Sequence, residues 1–345
     1  MIDKPVHYNN LFYIKYFDAD QNKIVLWDHL DGFDADYRNH VIDNIHKFQQ
    51  GKLEEGKLNL HYHQILPSVT KIQYPNIAFD FDMEWQLQYN FMPLHQYKST
   101  GCKNIKHFIS CFNGSSHLSR QFITLAIKKA GWWNDLVCTK NFSFDYHLAL
   151  KTIERLKGTH SKEKILEYFQ ANKAFGAKIV SQNYIHGNYE ILYNGFKTLE
   201  PALHSSFIHI VTEAVGTSSV PFITEKFLKP IITKSLFVTY GQPHWHYVLE
   251  KYYGFKPFTI FDYAFDRQVN PIDRLIQLID MIKKFENLSA SDWSNLYEDQ
   301  NDILEYNYDH YHSKNFVKHL KKMYNTHNSE LLDNIITNTY NNRGE

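Results

Sequence analysis

The sequence predicts an α/β protein, because short apolar strands alternate with amphipathic helices along most of its 345 residues. Two segments show this most clearly. Residues 235–240 form an apolar strand that ends in a Gly-Gln-Pro turn, and residues 271–286 place their Ile and Leu side chains on one side of a helix. The length is enough for two ordinary α/β domains followed by a further segment.

The first part of the chain, residues 1–100, predicts a small α/β domain. Residues 11–17 and 23–27 have the alternating or continuous apolar character of strands and are joined by a polar turn. Residues 37–48 have a helical pattern, and residues 74–81 form a strand-like segment that runs into a cluster of carboxylates.

The second predicted domain covers residues 101–285, with a polar, largely helical insertion at about 148–200. Residues 286–345 predict a helical C-terminal extension with an Asn-rich end. The helix at 271–286 is the clearest amphipathic element of this half. Its predicted apolar side comprises Ile272, Leu275, Ile276, Leu278, Ile279 and Ile282.

The most informative local pattern begins at Thr224. Thr224 can cap a helix whose first turn holds Glu225 and Lys226. The positive N-terminal end of the helix dipole favours the carboxylate of Glu225 and disfavours the ammonium of Lys226. An anionic ligand at this helix start, held by backbone N–H groups and the ammonium, accounts for the lysine. The next strand ends at Gly241, and ligands of open α/β sheets bind at the carboxyl ends of strands. An ordinary capped helix with no ligand is the alternative.

The Thr224-Glu225-Lys226 run, with an apolar helix, a strand and a glycine behind it, resembles the donor-binding segment of α-1,3-fucosyltransferases and related nucleotide-sugar glycosyltransferases. In that family the Glu contacts the nucleoside sugar and the Lys contacts the diphosphate. The resemblance implies these roles for Glu225 and Lys226. It also implies a GT-B architecture, with two Rossmann-like domains of which the C-terminal one binds the donor.

Two further segments are similar to the same family. Residues 105–133 resemble the strand, polar loop and helix that open the family's donor domain, which implies donor contacts for Asn113 in the loop and for Arg120 near the helix start. Arg also suits a forked contact to phosphate oxygens. A weaker match at 207–213 makes Glu213 a candidate for holding donor-sugar hydroxyls. Polar turns and surface carboxylates are the alternative interpretation of both segments.

The resemblance implies an inverting, metal-independent glycosyltransferase that moves a sugar from a nucleotide diphospho-sugar, GDP-linked by analogy, to an acceptor hydroxyl. No bound cofactor beyond this donor substrate is expected. The family takes its catalytic base from the N-terminal domain, so Asp31, Asp82 and Glu84 are the candidate bases. A glycan or lipid-linked sugar is the default acceptor.

Two other functions stay open. One is a DNA-modifying glycosyltransferase that acts on a hydroxylated base. It would use Lys98, Lys103 and Lys106 in a basic groove and stack bases on tryptophans. Those tryptophans are Trp85, Trp132 and Trp133. Equal numbers of basic and acidic residues, 37 of each, argue against a broad basic surface. The other is a non-catalytic binding protein on a degenerate transferase scaffold.

Metal binding is not expected, although three His-x-His pairs occur. They are His61/His63, His244/His246 and His310/His312. No HExxH or CxxC pattern accompanies them, and the middle pair is predicted to line the lip of the ligand cleft. Three cysteines do not suggest a disulfide scaffold, and no apolar run or signal-peptide core indicates a membrane span or secretion. A cytoplasmic location is expected.

Overall fold

A computed structural model describes the chain as a mixed α/β protein. In the first 93 residues it describes the backbone of five strands. Beyond them it describes residues 94, 97–99, 103–113, 117–132, 136–138, 150, 162–172, 193–213, 216, 223–313 and 316.

The first sheet has five strands in the order β1-β2-β3-β4-β5. These strands are β1 Val6–Tyr8, β2 Phe12–Asp18, β3 Lys23–Trp27, β4 Asn59–Gln64 and β5 Ala78–Phe81. The strands predicted at 11–17 and 23–27 are confirmed, and the one predicted at 74–81 is described over its last four residues. The first two pairings are antiparallel and the last two are parallel, so this sheet departs from a wholly parallel Rossmann pattern. The helix predicted at 37–48 lies outside the described residues.

The second sheet is wholly parallel, with the strand order β7-β6-β8-β9. Its strands are β6 His107–Cys111, β7 Leu136–Cys138, β8 Ser206–Thr212 and β9 Leu236–Tyr240. Every residue of β8 and β9 is buried. A parallel sheet buried on both faces requires covering layers on each side, which explains why these strands are continuous apolar runs and not alternating ones.

The described helices follow the same half of the chain. They are α1 Leu118–Lys129, α2 Lys162–Ala171, α3 Tyr193–Ser205, α4 Leu228–Ile232, α5 Trp245–Tyr253, α6 Pro271–Lys283, α7 Ala290–Glu298 and α8 Asn301–His312. Two 3-10 turns, Glu225–Phe227 and Tyr263–Arg267, precede α4 and α6. Helices α2 and α3 lie largely in the stretch predicted as a helical insertion, and α7 and α8 lie in the predicted C-terminal extension.

Helices cover both faces of the second sheet. On one face, the Tyr240 hydroxyl donates a 3.0 Å hydrogen bond to the carbonyl of Pro271 at the start of α6, and α1 contacts α6. On the other face, the indole of Trp293 in α7 stacks on Phe108 and Phe207, with ring centroids 5.4 and 5.8 Å away. Helix α4 contacts α3 and α8.

Helix α6 shows how sequence sets these contacts. Asn270 caps it by accepting from the backbone N–H groups of Ile272 and Asp273, and Pro271 occupies the first turn, where a missing N–H costs nothing. Ile276, predicted on the apolar side, is 46 % exposed. That prediction is wrong because, at 100° per residue, position 276 falls outside the arc that packs on the sheet. The charged Arg274 lies inside that arc and is fully buried.

The strand order contains a reversal that locates the site. From β6 the chain passes through α1 to β7 on one side, whereas from β8 it passes through α4 to β9 on the other side. Because the two connections run in opposite directions, their helices lie on opposite faces, and the direction of the connections reverses between β6 and β8. In open α/β sheets this switch point, at the carboxyl ends of the strands, is the usual ligand site.

Candidate functional site

Three of the predicted site residues follow three neighbouring strands of the second sheet. Asn113 comes two residues after β6, Glu213 directly after β8, and Gly241 directly after β9. All three are buried. The topology therefore brings residues that are between 28 and 128 positions apart to one edge of the sheet, at the switch point.

Glu213 is the centre of this edge. Its side chain is fully buried and accepts two hydrogen bonds from Thr224, one from the backbone N–H at 3.1 Å and one from the hydroxyl at 2.8 Å. Burial raises the pKa of Glu213, while the nearby ammonium of Lys226 and the Thr224 hydrogen bonds act in the opposite direction. The carboxyl is thus tied to the segment that carries the Thr-Glu-Lys run.

Lys226 lies against both carboxylates of the site. Its ammonium donates to the Thr224 hydroxyl at 3.0 Å and lies 3.8 Å from Glu213 Oε2 and 3.6 Å from Glu225 Oε1. The predicted cap is confirmed, since Thr224 has extended backbone angles and its hydroxyl accepts from the Lys226 N–H at 3.5 Å. The capped element begins as a 3-10 turn and continues as the short helix α4.

Arg120 belongs to α1, which packs against α6 on the opposite face of the sheet from α4. It lies in the first turn of α1 and is 6 % exposed. This 12-residue helix has no acidic residue in its first turn, so the positive end of its dipole is not offset there by a carboxylate of its own. The neighbouring Ser119 accepts a 2.5 Å hydrogen bond from the N–H of Gly216, which ties the helix start to the loop after β8.

Lys229, in α4, is a cation that the sequence analysis did not single out. Burial is the main cause that lowers the pKa of Lys229. The charge of Glu225 raises this pKa, and the charges of Lys226 and Arg120 lower it further. Arg120, Lys226 and Lys229 therefore share one electrostatic environment although they come from three different elements. In the sequence, Lys229 has the pattern of an ordinary solvated lysine on a helix. Its spacing from Lys226 therefore does not indicate that it lies near the other cations.

Asn113 offers a polar group to the same edge. Its amide nitrogen donates to Cys111 Sγ at 3.3 Å. Its Oδ1 is buried and accepts no hydrogen bond from the residues that the structure describes. A buried acceptor in this state is uncommon in folded proteins and is suited to a hydroxyl or N–H donor from a ligand.

Gly241 allows the loop after β9 to approach Glu213 closely. A Cβ atom at this position would lie 2.8 Å from Trp245 Cδ1 and 3.4 Å from Glu213 Cγ. The absence of a side chain is therefore required by packing against Trp245. The prediction singled out Gly241 for its position at the end of a strand, and its close packing supplies the physical reason.

Arg274 holds together the loops at this edge of the sheet, and the sequence analysis did not predict this role. Its guanidinium donates to the carbonyl oxygens of Gly241 (2.9 Å) and Gly216, and also to those of Gln268 and Val269 just before α6. Burial lowers the pKa of Arg274. One buried side chain thus links the loops that follow β8 and β9.

His246 is buried and committed to the fold, so it does not line the lip of a cleft. Its Nδ1 lies 3.0 Å from Asp266 Oδ1, and its Nε2 accepts from the N–H of Thr239 at 3.1 Å. His244 precedes α5 in a left-handed conformation, with φ of 62°. His310 and His312 lie on helix α8, where positions two apart do not share a face.

Other predicted residues either lie outside the described part of the chain or serve the fold. Asp31, Asp82 and Glu84, the candidate bases, lie outside the described residues. Lys103 and Trp132, proposed for DNA contacts, serve the fold instead: the Lys103 ammonium donates to Leu203 O and Ser235 Oγ, and Trp132 is 5 % exposed. Burial lowers the pKa of Lys103 to about 7.

Comparison with known proteins gives no relative: no protein family, no curated protein and no solved structure matches the chain. Among the described residues, no helix is both long and apolar enough to cross a membrane. The same residues contain no group of three or more His, Cys, Asp or Glu side chains placed to hold a metal ion.

Proposed function

We propose that this protein is a glycosyltransferase that uses a nucleotide diphospho-sugar as its donor. The observation that carries the proposal is that Lys226 lies beside Glu213, at the carboxyl end of β8 in a parallel sheet, while the charges of Lys226 and of Arg120 in the first turn of α1 both act on Lys229. Cations and backbone N–H groups together suit a diphosphate. Among diphosphate ligands, the resemblance of the Thr-Glu-Lys run to that of fucosyltransferases favours a nucleotide sugar.

In the proposed mechanism, the leaving diphosphate gains negative charge as the glycosidic bond breaks. Lys226, Arg120 and the α1 dipole stabilise that charge without a metal ion. Glu225 binds the nucleoside sugar, and Glu213 and Asn113 bind hydroxyls of the donor. An acceptor hydroxyl attacks from the opposite face and inverts the anomeric carbon. Its base comes from the N-terminal domain, with Asp31, Asp82 and Glu84 as the proposed residues.

The proposed architecture is GT-B, with the second sheet as the core of the donor domain. The parallel order and the helices on both sides of that sheet support this assignment for residues 101–285. A glycan or another hydroxyl compound is the proposed acceptor. A DNA acceptor is less favoured, because Lys103 and Trp132 are engaged inside the fold. The proposed location is the cytoplasm.

A thermal-shift screen tests donor binding. The purified protein is heated with GDP, UDP, CDP, ADP or TDP and their common sugars, with and without EDTA. A ligand present at about 100 times its Kd stabilises the fold by about 2.7 kcal/mol. We expect one diphosphate to raise the Tm selectively and without dependence on EDTA. If none of them raises the Tm, the proposal is wrong.

Two variants connect that shift to the site. Lys226→Ala should abolish the shift, because its ammonium is the predicted diphosphate contact, whereas Lys129→Ala should retain it. Lys129 is an exposed cation in the last turn of α1, nine positions beyond Arg120 and far from the site. Release of the nucleoside diphosphate from the donor sugar then tests turnover. Binding without turnover on any hydroxyl acceptor would favour the non-catalytic alternative.

A further inference from the structure

We infer that Thr224 is a positioning residue of the proposed diphosphate site: its hydroxyl joins Glu213 to Lys226 and holds the Lys226 ammonium in place before a ligand binds. The inference rests on the proposed function, since it concerns the same site. It adds the means by which a flexible side chain on a short turn is fixed relative to the parallel sheet. Thr224 acts through Lys226 and not through a contact of its own with the phosphate.

The Thr224 hydroxyl uses all of its hydrogen-bonding capacity within this edge of the sheet. It donates to Glu213 Oε2 at 2.8 Å, and it accepts from the Lys226 ammonium at 3.0 Å and from the Lys226 backbone N–H at the longer distance of 3.5 Å. A hydroxyl has one proton and two lone pairs, whereas an ammonium and a backbone N–H can only donate. The Thr224 proton is therefore directed to Glu213, and both of its acceptor positions serve Lys226.

Glu213 is the rigid end of this connection. It directly follows β8, its backbone N–H donates to the carbonyl of Tyr240 in β9 at 3.0 Å, and its side chain is fully buried. Its Oε1 accepts from the backbone N–H of Thr224 at 3.1 Å, so both carboxylate oxygens hold the same residue. The start of the Thr-Glu-Lys run is thereby tied to the carboxyl ends of two neighbouring strands.

Lys226 is the flexible end of the connection. A lysine side chain loses much rotamer freedom when its ammonium is fixed. The carboxylates of Glu213 and Glu225 lie 3.8 and 3.6 Å from the ammonium, beyond the usual hydrogen-bond range, so they attract it without setting its direction. The 3.0 Å hydrogen bond to Thr224 does set a direction. An ammonium ordered before binding reduces the entropy that a ligand would otherwise have to offset.

The exposure of these side chains agrees with the division of roles. Thr224 is 1 % exposed, whereas 15 % of the Lys226 side chain is exposed. Lys226 therefore offers a charge that a phosphate group can reach, and Thr224 supports that charge from within the fold. Groups that bind a ligand are held most accurately when buried side chains on a rigid element fix them.

Three substitutions separate the hydroxyl from the shape of the side chain and from the cap. Thr224→Val keeps the branched shape and removes the hydroxyl, whereas Thr224→Ser keeps the hydroxyl and removes a methyl group. Thr224→Gly also lacks the hydroxyl, but glycine is nearly as favourable as threonine at the cap position. Thr224→Gly therefore takes the place of Thr224→Val if the valine variant does not fold.

Titration calorimetry with two probes measures the effect on binding. The probes are inorganic pyrophosphate and the nucleoside diphosphate selected by thermal shift, at a temperature where urea unfolding shows each variant to be folded. We expect the affinity of Thr224→Val and Thr224→Gly for both probes to fall on the order of 10-fold, because a charge-assisted hydrogen bond no longer orders the ammonium. Thr224→Ser should stay within about 3-fold of the wild type, since serine retains the hydroxyl.

Thr239→Val is the matched control. Thr239 lies in β9, is 1 % exposed, and its Oγ1 has no hydrogen-bond partner among the described residues. The same exchange at this position should leave the affinity for both probes unchanged.

Two results would overturn the inference. One is a Thr224→Val variant that melts earlier than the wild type but binds pyrophosphate equally tightly, because the threonine would then only stabilise the fold. The other is a Thr224→Ser variant that binds as weakly as Thr224→Val, because the hydroxyl would then not be the group that matters.

The failure of this inference can be told apart from failure of the proposed function. If the wild type binds either probe and the variants without the hydroxyl bind it equally well, the inference is wrong while the proposed function stands. If the wild type binds neither pyrophosphate nor any nucleoside diphosphate, both are wrong.

Discussion

His209 gives a prediction whose size can be worked out from the structure. It is fully enclosed in β8, its Nδ1 lies 2.9 Å from Ser110 Oγ, and its ring packs 4.6 Å from that of Phe112. Burial, followed by the charges of Lys229 and Lys103, lowers its pKa from 6.5 to about 3. The folded protein therefore keeps this imidazole neutral at pH values where the unfolded chain protonates it.

The sign of the effect follows from proton linkage. Because the unfolded state binds more protons between the two pKa values, the stability due to His209 is complete above pH 6.5 and is lost as the pH falls toward 3. The loss amounts to about 2 kcal/mol at pH 5 and about 3 kcal/mol at pH 4. Glutamine at position 209 can still accept from Ser110 but cannot titrate.

Urea unfolding at pH 7, 6, 5 and 4 measures this difference. Relative to pH 7, His209→Gln should lose about 2 kcal/mol less than the wild type at pH 5. Parallel losses in His209→Gln and the wild type would refute the assignment of a neutral, desolvated imidazole in β8.

Three further predictions concern the edge that carries the site. Arg274→Met should destabilise the protein by about 3 kcal/mol in urea unfolding, because four backbone carbonyls lose a charged donor; an effect below about 1 kcal/mol would contradict this role. Gly241→Ala should cost about 1–3 kcal/mol, since its Cβ would lie 2.8 Å from Trp245, and a midpoint equal to that of the wild type would show that the loop adapts freely. Glu213→Gln should gain stability relative to the wild type as the pH rises above 4.5, because burial raises the pKa of this carboxyl and disfavours its ionised form. Urea unfolding at several pH values measures this gain, and a difference in midpoints that does not change with pH would disprove the prediction.

Local elements were predictable from the sequence because their signals are local. The strand at Leu236–Tyr240 is a continuous apolar run bounded by a turn, and α6 has an Asn cap, a proline in its first turn and a helical apolar period. The resemblance assigned Glu213 and the Thr-Glu-Lys run to one donor site, and the structure shows Glu213 accepting two hydrogen bonds from Thr224.

Features that depend on tertiary packing could not be predicted. Arg274 occupies an ordinary charged position of an amphipathic helix, and only the return of two loops toward α6 supplies the carbonyl acceptors that permit its burial. Lys229 has the pattern of a solvated helix lysine, and the charge of Arg120 that lowers its pKa comes from α1, far away along the chain. Neither interaction leaves a periodic or compositional signal, because both depend on strand order and not on neighbours along the chain.

The central position of β6 in its sheet has a consequence for how the protein acquires its binding capacity. β6 pairs with β8, so the two strands join only after the whole intervening stretch, which includes α1 and α3, has been synthesised and looped back. Such a long closure is slow and delays the encounter of Arg120 with Lys226. The proposed diphosphate binding would then appear late during refolding, and a fragment that ends before β8 would contain α1 but lack the proposed affinity for a diphosphate.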